Sequence, residues 1–588
     1  MTDEIMRQKN TRAEDSSVLR LAEFGATPNS GIDSTPALRR AIEAASHAEG
    51  PVRLVCEPGR YEFYEKQADR ERYWITNTAS EKENPDVTKT IGIHMRGLSN
   101  VTLDGYGALF VFHSKMTMLV VDNCEGITFR DVSFDYEWPT VAEMTIERIG
   151  DGFMDVRPHP SSRYEIADGR LTWVGPGWRF RDGPTQAYDP TTNRTWRIDT
   201  NWVEQATSAE ELDASLVRLR FDGTSELQAG WVLQTRDGIR DQVGVFLNRS
   251  RNVSFEHVNL HFMHGLGVTG QFCEHLSFDR VTIAPRPGTG RTAAGFADGI
   301  HLSGCRGKIC ITNSRLEGLH DDGVNVHGTF LQVVEQPGSR ELRVRFMHSQ
   351  TYGFEAFAAG DELEFVQSRS LAACGTGIVE RAELISPYEM LLTLREDVPD
   401  GVEAGVAVEN VTWTPELTIA GNTFSRIPTR GILATTRRRT LIENNIFEGT
   451  VMSAILVSCD AGSWYESGRV LDLTIRGNRF EACGSADQPV ILIAPEIEEI
   501  SEKQPVHNGI VIEGNRFELS EGLAVNALSA LSVGSLYFQD NELLLEHSFT
   551  SKYGDNSNGV IHQSIQDLIS FAACGDSIVV NNIVQIKK

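Results

Sequence analysis

A short motif, Gly-Asn-x-Phe or a close variant of it, recurs along the second half of the chain. It occurs at 421–424, 444–447, 477–480 and 514–517. An apolar residue precedes each copy at a fixed distance, and this apolar position can be followed through most of the sequence, at Leu103, Phe129, Phe255, Phe278, Ile311, Ile419, Ile442, Ile475, Ile512, Phe538 and Ile578. Such self-similarity is typical of repeat proteins, in which each unit buries its apolar face against the next unit.

The spacing of the motif indicates which kind of repeat is present. It is 23 residues from Phe255 to Phe278 and 26 residues from Leu103 to Phe129. A coil of this length holds three short strands and three turns, and each strand pairs with the equivalent strand of the next coil. Asparagine suits one fixed turn, because it tolerates the left-handed region and its side chain can bond to the backbone or to a stacked neighbour. We therefore predict an all-β fold, a right-handed parallel β-helix.

Two spacings are much longer than one coil. They are 126 residues from Phe129 to Phe255 and 108 residues from Ile311 to Ile419. Both long segments contain alternating apolar residues, as at 216–221 and 341–346, and neither has helical periodicity. We predict that they are two small β-barrel-like domains, inserted at 139–245 and 330–412. Smaller insertions at 284–297 and 459–469 enlarge loops, and enlarged loops on one face of a solenoid usually form its binding site.

The remaining segments complete the predicted organisation. Residues 1–16 are polar and charged, and we expect a flexible tail. Residues 17–138 should form an N-terminal cap and the first coils, with a helix that begins near Ser34 and covers the open end of the solenoid. The catalytic coils are predicted at 246–329 and the C-terminal coils at 413–588.

Composition narrows the class of partner and the location. A net charge of −26 disfavours nucleic acid and anionic membranes as partners. The nine cysteines form no CxxC pair, and no window approaches 18 apolar residues, so neither a zinc cluster nor a membrane span is expected. We expect no cofactor and no metal, and a homodimer is possible. Met1 to Ser17 has no apolar segment, which favours a cytoplasmic location, or a secreted or periplasmic one if a leader precedes this sequence.

Two segments of the predicted catalytic coils have similar sequences, and we expect them to form equivalent strands in successive coils. They are Ala297-Asp-Gly-Ile-His-Leu302 and Asp321-Asp-Gly-Val-Asn-Val326. Stacking them places Asp298 and Asp322 in one column, which Arg430 and Ser453 continue, and adjacent coils lie about 4.8 Å apart. Asp321 leaves the backbone one residue earlier, in another direction. Since Asp298 and His301 can both face outward only if the strand is irregular, we expect a bulge near Gly299.

Three converging carboxylates are suited to the hydrolysis of a glycosidic bond. Inverting glycosidases separate their acid and base by about 6.5–9.5 Å to leave room for a water molecule. We predict that Asp298 and Asp322 hold and deprotonate this water and that Asp321 is the general acid. Crowding of like charges raises the pKa of at least one carboxyl group, which helps to keep the acid protonated. Ordinary Asp-Gly turns and a calcium cluster are the alternatives.

These residues resemble the catalytic coils of glycoside hydrolase family 110. The resemblance is carried by 297–300, by the segment His320-Asp-Asp-Gly-Val-Asn-Val-His-Gly-Thr329, by 430–437 and by 460–468. It implies an inverting exo-α-1,3-galactosidase on a β-helix with inserted β-barrels, acting on blood-group-B-type or linear Galα1-3Gal ends. It also implies that the three catalytic aspartates are Asp298, Asp321 and Asp322. The order of elements near the N-terminus resembles, more distantly, that of pectate-lyase-like β-helix proteins, and the aspartate pattern is loosely similar to that of polygalacturonases.

Further residues are candidates for binding a carbohydrate with terminal α-galactose. They are His301, Asn325, His327, Arg437, Asp460, Trp464, Tyr465 and Glu466. An aromatic ring in an enlarged loop can stack on the apolar face of galactose, and carboxylates and amides can bind its hydroxyl groups. A structural histidine, an asparagine ladder or loop packing would account equally well for several of them.

Two other functions remain open. An endo-acting polygalacturonase-like hydrolase would need an open basic groove, and its Gly-His-Gly and Arg-x-Lys motifs are missing one coil further on. A glycan-binding solenoid without activity would bind sugar and not turn it over.

Overall fold

The computed structural model describes residues 16–501, 503–520, 523, 526–546 and 565–586. The predicted tail at 1–16 lies outside these residues except for Ser16. In the described part there are an α-helix at Thr35–Ser46, a one-turn helix at Trp202–Gln205, and 3-10 turns at Leu21–Phe24, Glu65–Gln67 and Ile565–Asp567. No helix in this part is both long enough and apolar enough to span a membrane.

The described chain winds into a parallel β-helix whose coils are lined by two large sheets, as the repeat predicts. The larger sheet contains Ser17–Arg20, Val52–Val55, Arg60–Phe63, Ser99–Phe112, Glu125–Tyr136, Arg251–Glu256, Asn259–Leu260, Glu274–Asp279, Thr282–Ile283, Arg306–Thr312, Arg315–Glu317, Pro415–Ala420, Thr423–Ser425, Thr440–Glu443, Ile446–Glu448, Leu473–Arg476, Arg479–Glu481, Ile510–Glu513, Arg516–Leu519, Ser535–Gln539, Glu542–Leu545, Asp576–Val580 and Ile583–Ile586. The other sheet contains Asp69–Arg72, Thr88–Arg96, Thr117–Asp122, Val245–Asn248, Val268–Gln271, Ile300–Ser303, Val324–Thr329, Ile432–Ala434, Ile455–Val457, Glu466–Ser467, Ile491–Ile493, Leu528–Leu531 and Ile569–Ala572.

The apolar position of the repeat forms a continuous column inside the solenoid. Phe129 pairs with Phe255 and Phe255 with Phe278, and their rings stack at centroid distances of 5.0 and 5.3 Å. The column continues without a break to Phe538. In the next coil the residue predicted from the sequence differs by one position from the residue that the structure places in the column. Phe538 pairs with Val579, and the predicted Ile578 pairs with Tyr537 and is 40% exposed. Three consecutive apolar residues at 578–580 leave the register ambiguous in the sequence.

The repeated asparagines form a buried ladder along one turn. The amide Nδ2 of each asparagine donates to Oδ1 of the next, for example from Asn422 to Asn445 at 2.9 Å and from Asn445 to Asn478 at 3.0 Å. The same Nδ2 also donates to a backbone carbonyl of the preceding coil. The left-handed residue of the turn is the one before the ladder, such as Gly421 (φ 67°) or Asn444 (φ 55°). The ladder therefore ties one coil to the next inside the apolar core.

The two long segments leave the solenoid as separate β-structures with apolar cores of their own. The first has a seven-stranded antiparallel sheet, with a three-stranded sheet packed on it, built from Ala142–Gly150, Phe153–Pro158, Thr185–Asp189, Arg194–Ile198, Ser208–Asp213, Leu216–Arg220 and Val232–Thr235, and from Tyr164–Ala167, Arg170–Gly175 and Trp178–Phe180. The second closes into a six-stranded barrel of Leu331–Gly338, Glu341–Phe346, Glu389–Leu394, Ala373–Ser386, Glu362–Val366 and Ala407–Asn410.

The N-terminal helix covers the first coils, as predicted. Its residues Ala37, Leu38, Ala41 and Ala45 are buried in the core of the solenoid, and Pro36 occupies its first turn, where the missing N–H costs no hydrogen bond. All nine cysteines are free thiols, and six of them are buried. They act as small core residues.

Candidate active site

The three aspartates of the two similar segments converge on one small pocket. Gly299 N–H donates to the carbonyl of Asp322 at 2.9 Å, and Gly323 N–H donates to the carbonyl of Arg430 at 3.0 Å. Asp298, Asp322 and Arg430 therefore occupy one column in successive coils. Asp298, Asp321 and Asp322 all line a cavity of about 170 Å³. The stacking of coils thus brings together carboxylates from two parts of the sequence.

The strand beside Asp298 is regular, and the expected bulge near Gly299 is absent. Residues 300–303 pair with 324–327 without a register shift. Asp298 lies ahead of this strand, which begins at Ile300, so strand alternation does not govern its side chain. Asp298 and His301 therefore both face the pocket, and Asp298 Oδ2 lies 2.8 Å from His301 Nδ1.

Asp322 is held by Arg430 from the next coil. The Arg430 backbone N–H donates to Asp322 Oδ1 at 3.1 Å, and its Nη2 donates to Oδ2 at 2.8 Å. Burial raises the pKa of Asp322 to about 6, and Arg430 opposes this shift while Asp321 and Asp298 add to it. Burial also raises the pKa of Asp298 to about 7, with a further contribution from Asp321.

Asp321 has a different environment, because it is surrounded by arginines. Burial alone would raise its pKa, but Arg197, Arg430, Arg236 and Arg240 outweigh burial and lower the pKa of Asp321. Arg197 comes from the first inserted domain and places Nη2 3.0 Å from Asp321 Oδ2 and 3.1 Å from the carbonyl of His320. Of the three carboxyl groups, Asp321 is thus the one that the free site keeps ionised.

The loop at 460–466 forms one wall of the pocket. Asp460 shapes this loop, since its carboxylate accepts hydrogen bonds from the backbone N–H groups of Gly462, Ser463, Trp464 and Tyr465. The second inserted domain supports the loop from behind: Phe330, Val366 and Ala407 pack with Cys459 and Ala461 in an apolar cluster. The ring of Trp464 is 40% exposed, lines the pocket and lies against His348 at 4.3 Å.

Glu466 follows on a short strand that pairs antiparallel with Gly328 and Thr329. Its Oε1 accepts a hydrogen bond from Asn77 Nδ2 at 2.7 Å. Burial acts to raise the pKa of Glu466, but His327, His301, Asn325 and Asn77 together lower it. Glu466 is therefore a largely buried carboxylate that remains ionised at the side of the pocket.

The structure brings most of the predicted binding residues to the pocket but not all of them. His301, Asn325, Asp460, Trp464 and Glu466 line it. His327 lies behind His301, with the two Nε2 atoms 2.9 Å apart. Tyr465 packs against the apolar cluster beneath the loop. Arg437 lies outside the pocket lining and is held in ion pairs with Glu364 and Glu409 of the second inserted domain, so its predicted contact with substrate has no support here.

Several residues of the pocket were not predicted from the sequence. Glu496 forms a parallel β-bridge with Asp460, which lies one coil earlier. Aligning the two coils by the repeat would therefore have identified Glu496. The sequence places Arg430 in the aspartate column but predicts no role for it. Asn77 and Arg240 line the pocket, and Arg197 contacts Asp321. All three come from segments without the repeat, so no spacing in the sequence predicts which residues they lie beside.

The sequence of the chain is similar to that of named proteins along most of its length. Two family models match: GLAA-B beta-barrel domain I at 142–233 and GLAA-B beta-barrel domain II at 341–408. The chain is 41% identical over 537 residues to alpha-1,3-galactosidase A of Bacteroides thetaiotaomicron, covering 90% of this chain and 93% of that protein. It is 31% identical over 585 residues to alpha-1,3-galactosidase B of the same organism, covering 97% and 93%. Among solved structures, the A-module of an Azotobacter vinelandii mannuronan C-5 epimerase aligns over 97% of both chains, with 9% identity and a TM-score of 0.39.

Proposed function

The chain belongs to the alpha-1,3-galactosidase family, and from this premise we propose that it is a glycoside hydrolase that removes terminal α-1,3-linked galactose from oligosaccharides or glycans with inversion at the anomeric carbon. The observation that carries the proposal is the convergence of Asp298, Asp321 and Asp322 on one small pocket. Their pKa values are pushed apart by their surroundings, and one proton-bearing and one ionised carboxyl group are what acid–base hydrolysis needs.

The reaction is a single displacement. A water molecule attacks the anomeric carbon on the face opposite the glycosidic oxygen, and the bond between that carbon and the glycosidic oxygen breaks. One carboxylate takes the proton of the water, one carboxylic acid gives a proton to the leaving oxygen, and β-galactose is released.

The distribution of the two roles among the aspartates stays a prediction. The sequence assigns the acid to Asp321 and the activation of water to Asp298 and Asp322. The charges of the free site favour a different distribution, since arginines lower the pKa of Asp321 while burial raises that of Asp298 to about 7. The dependence of the rate on the quality of the leaving group separates the two assignments.

The shape of the pocket supports removal of one terminal sugar. The loop at 460–466 and Asn77 close it on the sides, and its volume is only about 170 Å³. Asn325 Oδ1 has no hydrogen-bond partner among the described residues and can accept a bond from a sugar hydroxyl. Trp464 offers an exposed aromatic face at the edge, where it can stack on galactose.

The charge of the pocket disfavours the polygalacturonase-like alternative. Six carboxyl groups line it, against the two guanidinium groups of Arg240 and Arg430, and they belong to Asp298, Asp321, Asp322, Asp460, Glu466 and Glu496. A uronate substrate would bring another negative charge among these groups, whereas galactose is neutral and offers hydroxyl groups to them.

A trisaccharide with terminal α-1,3-galactose tests the proposal. Proton NMR of the released sugar should detect β-galactose first, and α-galactose should arise only later by mutarotation. Initial release of α-galactose would overturn inversion. Hydrolysis of polygalacturonate but not of the trisaccharide would overturn the substrate class. Binding without turnover would favour the non-catalytic alternative.

A further inference from the structure

A row of buried hydrogen-bonding groups leads away from Asp298. Asp298 Oδ2 lies 2.8 Å from His301 Nδ1, and His301 Nε2 lies 2.9 Å from His327 Nε2. His327 Nδ1 in turn lies 2.6 Å from the carbonyl oxygen of Gly328. Both histidines are almost fully buried, at 1% and 2% exposure. We call Asp298, His301, His327 and the Gly328 carbonyl the histidine wire.

If both histidines are neutral, the last contact of the wire fixes the position of every proton in it. A carbonyl oxygen can only accept, so His327 Nδ1 must carry a hydrogen. A neutral imidazole carries one N–H, so His327 Nε2 is an acceptor and His301 Nε2 must donate to it. His301 Nδ1 is then an acceptor as well, and it faces Asp298. The contact between them requires a proton on the carboxyl group.

The same proton could in principle sit on the histidines and leave Asp298 ionised, but burial opposes this. Burial lowers the pKa of His301 to about 4 and also lowers that of His327, while it raises the pKa of Asp298 to about 7. Some charged groups around the wire favour a positive charge on the histidines, and others oppose it. Glu466, with Oε1 3.5 Å from His327 Nε2, favours a charge on the histidines, as do Asp321 and Asp322, whereas Arg240 opposes it at His301.

We propose that His301 and His327 are positioning residues that hold the shared proton of the three carboxyl groups on Asp298 in the free enzyme. Asp298 then cannot take the proton of the attacking water until it has released its own. Water activation therefore falls to Asp322 or Asp321, rather than to Asp298 and Asp322 as a pair. This inference rests on the proposed function for its catalytic meaning, but the protonation itself does not.

The test replaces the two histidines, whose donor and acceptor nitrogens determine which atom of the wire carries each proton. His327→Gln keeps a polar atom near His301, but the amide can donate as well as accept, so Asp298 is free to ionise. His301→Asn does the same at the contact with Asp298. His507→Gln is the matched control, because His507 is also a fully buried histidine and lies outside the pocket lining. Circular dichroism and thermal unfolding establish that each variant is folded.

Two measurements are made on the full-length protein. The first is the far-downfield proton NMR resonance of the hydrogen bond between the two histidines, followed as a function of pH without substrate. The second is the pH dependence of kcat/KM on the trisaccharide. We expect His327→Gln to abolish the resonance, and we expect both wire variants to move the inflection near pH 7 to lower pH by about one unit. His507→Gln should change neither.

An inflection that stays in place in both wire variants, with activity merely reduced, would assign the histidines a packing role and overturn the inference. Stoichiometric zinc in the purified protein would also overturn it, because His301, His327 and Glu466 lie close enough to share a metal ion in place of the proton. If wild type shows the resonance and its titration but does not hydrolyse the trisaccharide, the proposed function fails and the protonation of Asp298 stands.

Discussion

Arg197 and Asp321 form an ion pair between two domains, with 3.0 Å between Nη2 and Oδ2. Arg197 lies on the strand Arg194–Ile198 of the first inserted domain, and Asp321 lies in the turn between the solenoid strands Arg315–Glu317 and Val324–Thr329. The inserted domain therefore places a positive charge beside Asp321, one of the residues that line the pocket. This pair is a reason why Asp321 differs from the two other aspartates.

Replacing Arg197 by methionine should raise the pKa of Asp321, because the largest of the effects that lower it is removed. Arg197 is 47% exposed in its side chain, so solvent screening limits the shift to about one unit. The limb of the kcat/KM profile that reports Asp321, acidic for a base and alkaline for an acid, should move to higher pH by that amount. Arg179→Met is the control, since Arg179 is an exposed arginine of the same domain that pairs with Glu165. Equal profiles for both variants would contradict the assignment.

The three aspartates should respond differently to the quality of the leaving group. Each Asp→Asn change should reduce kcat on the trisaccharide by about 10²–10⁴-fold. The variant that lacks the general acid should recover most of this loss with α-galactosyl fluoride, whose leaving group needs little protonation. Recovery in Asp321→Asn supports the sequence assignment, and recovery in Asp298→Asn supports the assignment from the charges of the free site. No recovery in either variant would contradict both.

The raised pKa of Asp298 makes a prediction about stability. Its pKa is about 7 in the folded protein, above the value of about 4 in an unfolded chain. The folded state therefore binds more protons than the unfolded state between these values, and stability is lost as the pH rises through 7. Asp298→Asn removes this effect and should stabilise the protein at pH 8 by roughly 2–4 kcal/mol relative to its effect at pH 4.

Denaturant unfolding of wild type and Asp298→Asn at both pH values measures this difference. Asp222→Asn, at an exposed position, serves as the control. A constant difference between wild type and Asp298→Asn at the two pH values would mean that Asp298 is ionised in the folded protein.

Trp464→Ala should weaken substrate binding more than it slows the chemical step. Trp464 is 40% exposed and lines the pocket at some remove from the reacting bond, so loss of its ring removes contact area that ground state and transition state share. We expect KM to rise by roughly tenfold with kcat nearly unchanged. Tyr465→Phe is the control within the same loop. A fall in kcat with constant KM would contradict this role.

The asparagine ladder should stabilise the solenoid independently of activity. Asn478 donates to Asn515 Oδ1 and to the carbonyl of Ile442, and its Oδ1 accepts from both N and Nδ2 of Asn445. Asn478→Ala leaves these buried partners unpaired and should cost roughly 2–4 kcal/mol. Thr474→Ala, in the preceding strand, should cost much less. Calorimetric unfolding with equal midpoints for the two variants would contradict a structural role for the ladder.

The parts of the fold that could be predicted are those governed by the repeat. Because every coil stacks on the one before, the pairing of Phe278 with Ile311 in one sheet is accompanied in the other sheet by the pairing of Ile300 with Val324, next to Asp298 and Asp322. The prediction was wrong by one residue at Ile578, in the last described coil. Ile578 and Val580 are both exposed there, so an apolar residue in the sequence no longer indicates a buried position.

The parts that could not be predicted depend on contacts between segments without a common period. Arg197 reaches Asp321 from a strand of an inserted domain, and no spacing in the sequence relates the two. Arg437 follows a catalytic coil, which made it a reasonable candidate, but Glu364 and Glu409 of the second inserted domain hold it in place. Only the packing of that domain against the solenoid reveals these partners.

The pairing of Phe129 with Phe255 and of Ile311 with Ile419 means that the coil continues as if neither inserted domain were present. A change of sequence or length within either domain therefore leaves the stacking of the solenoid intact while it reshapes the walls around the aspartates. Natural variation can therefore accumulate in the two inserted domains with little effect on the folding of the solenoid. Evolution of a new glycan preference in this family would be expected to start there.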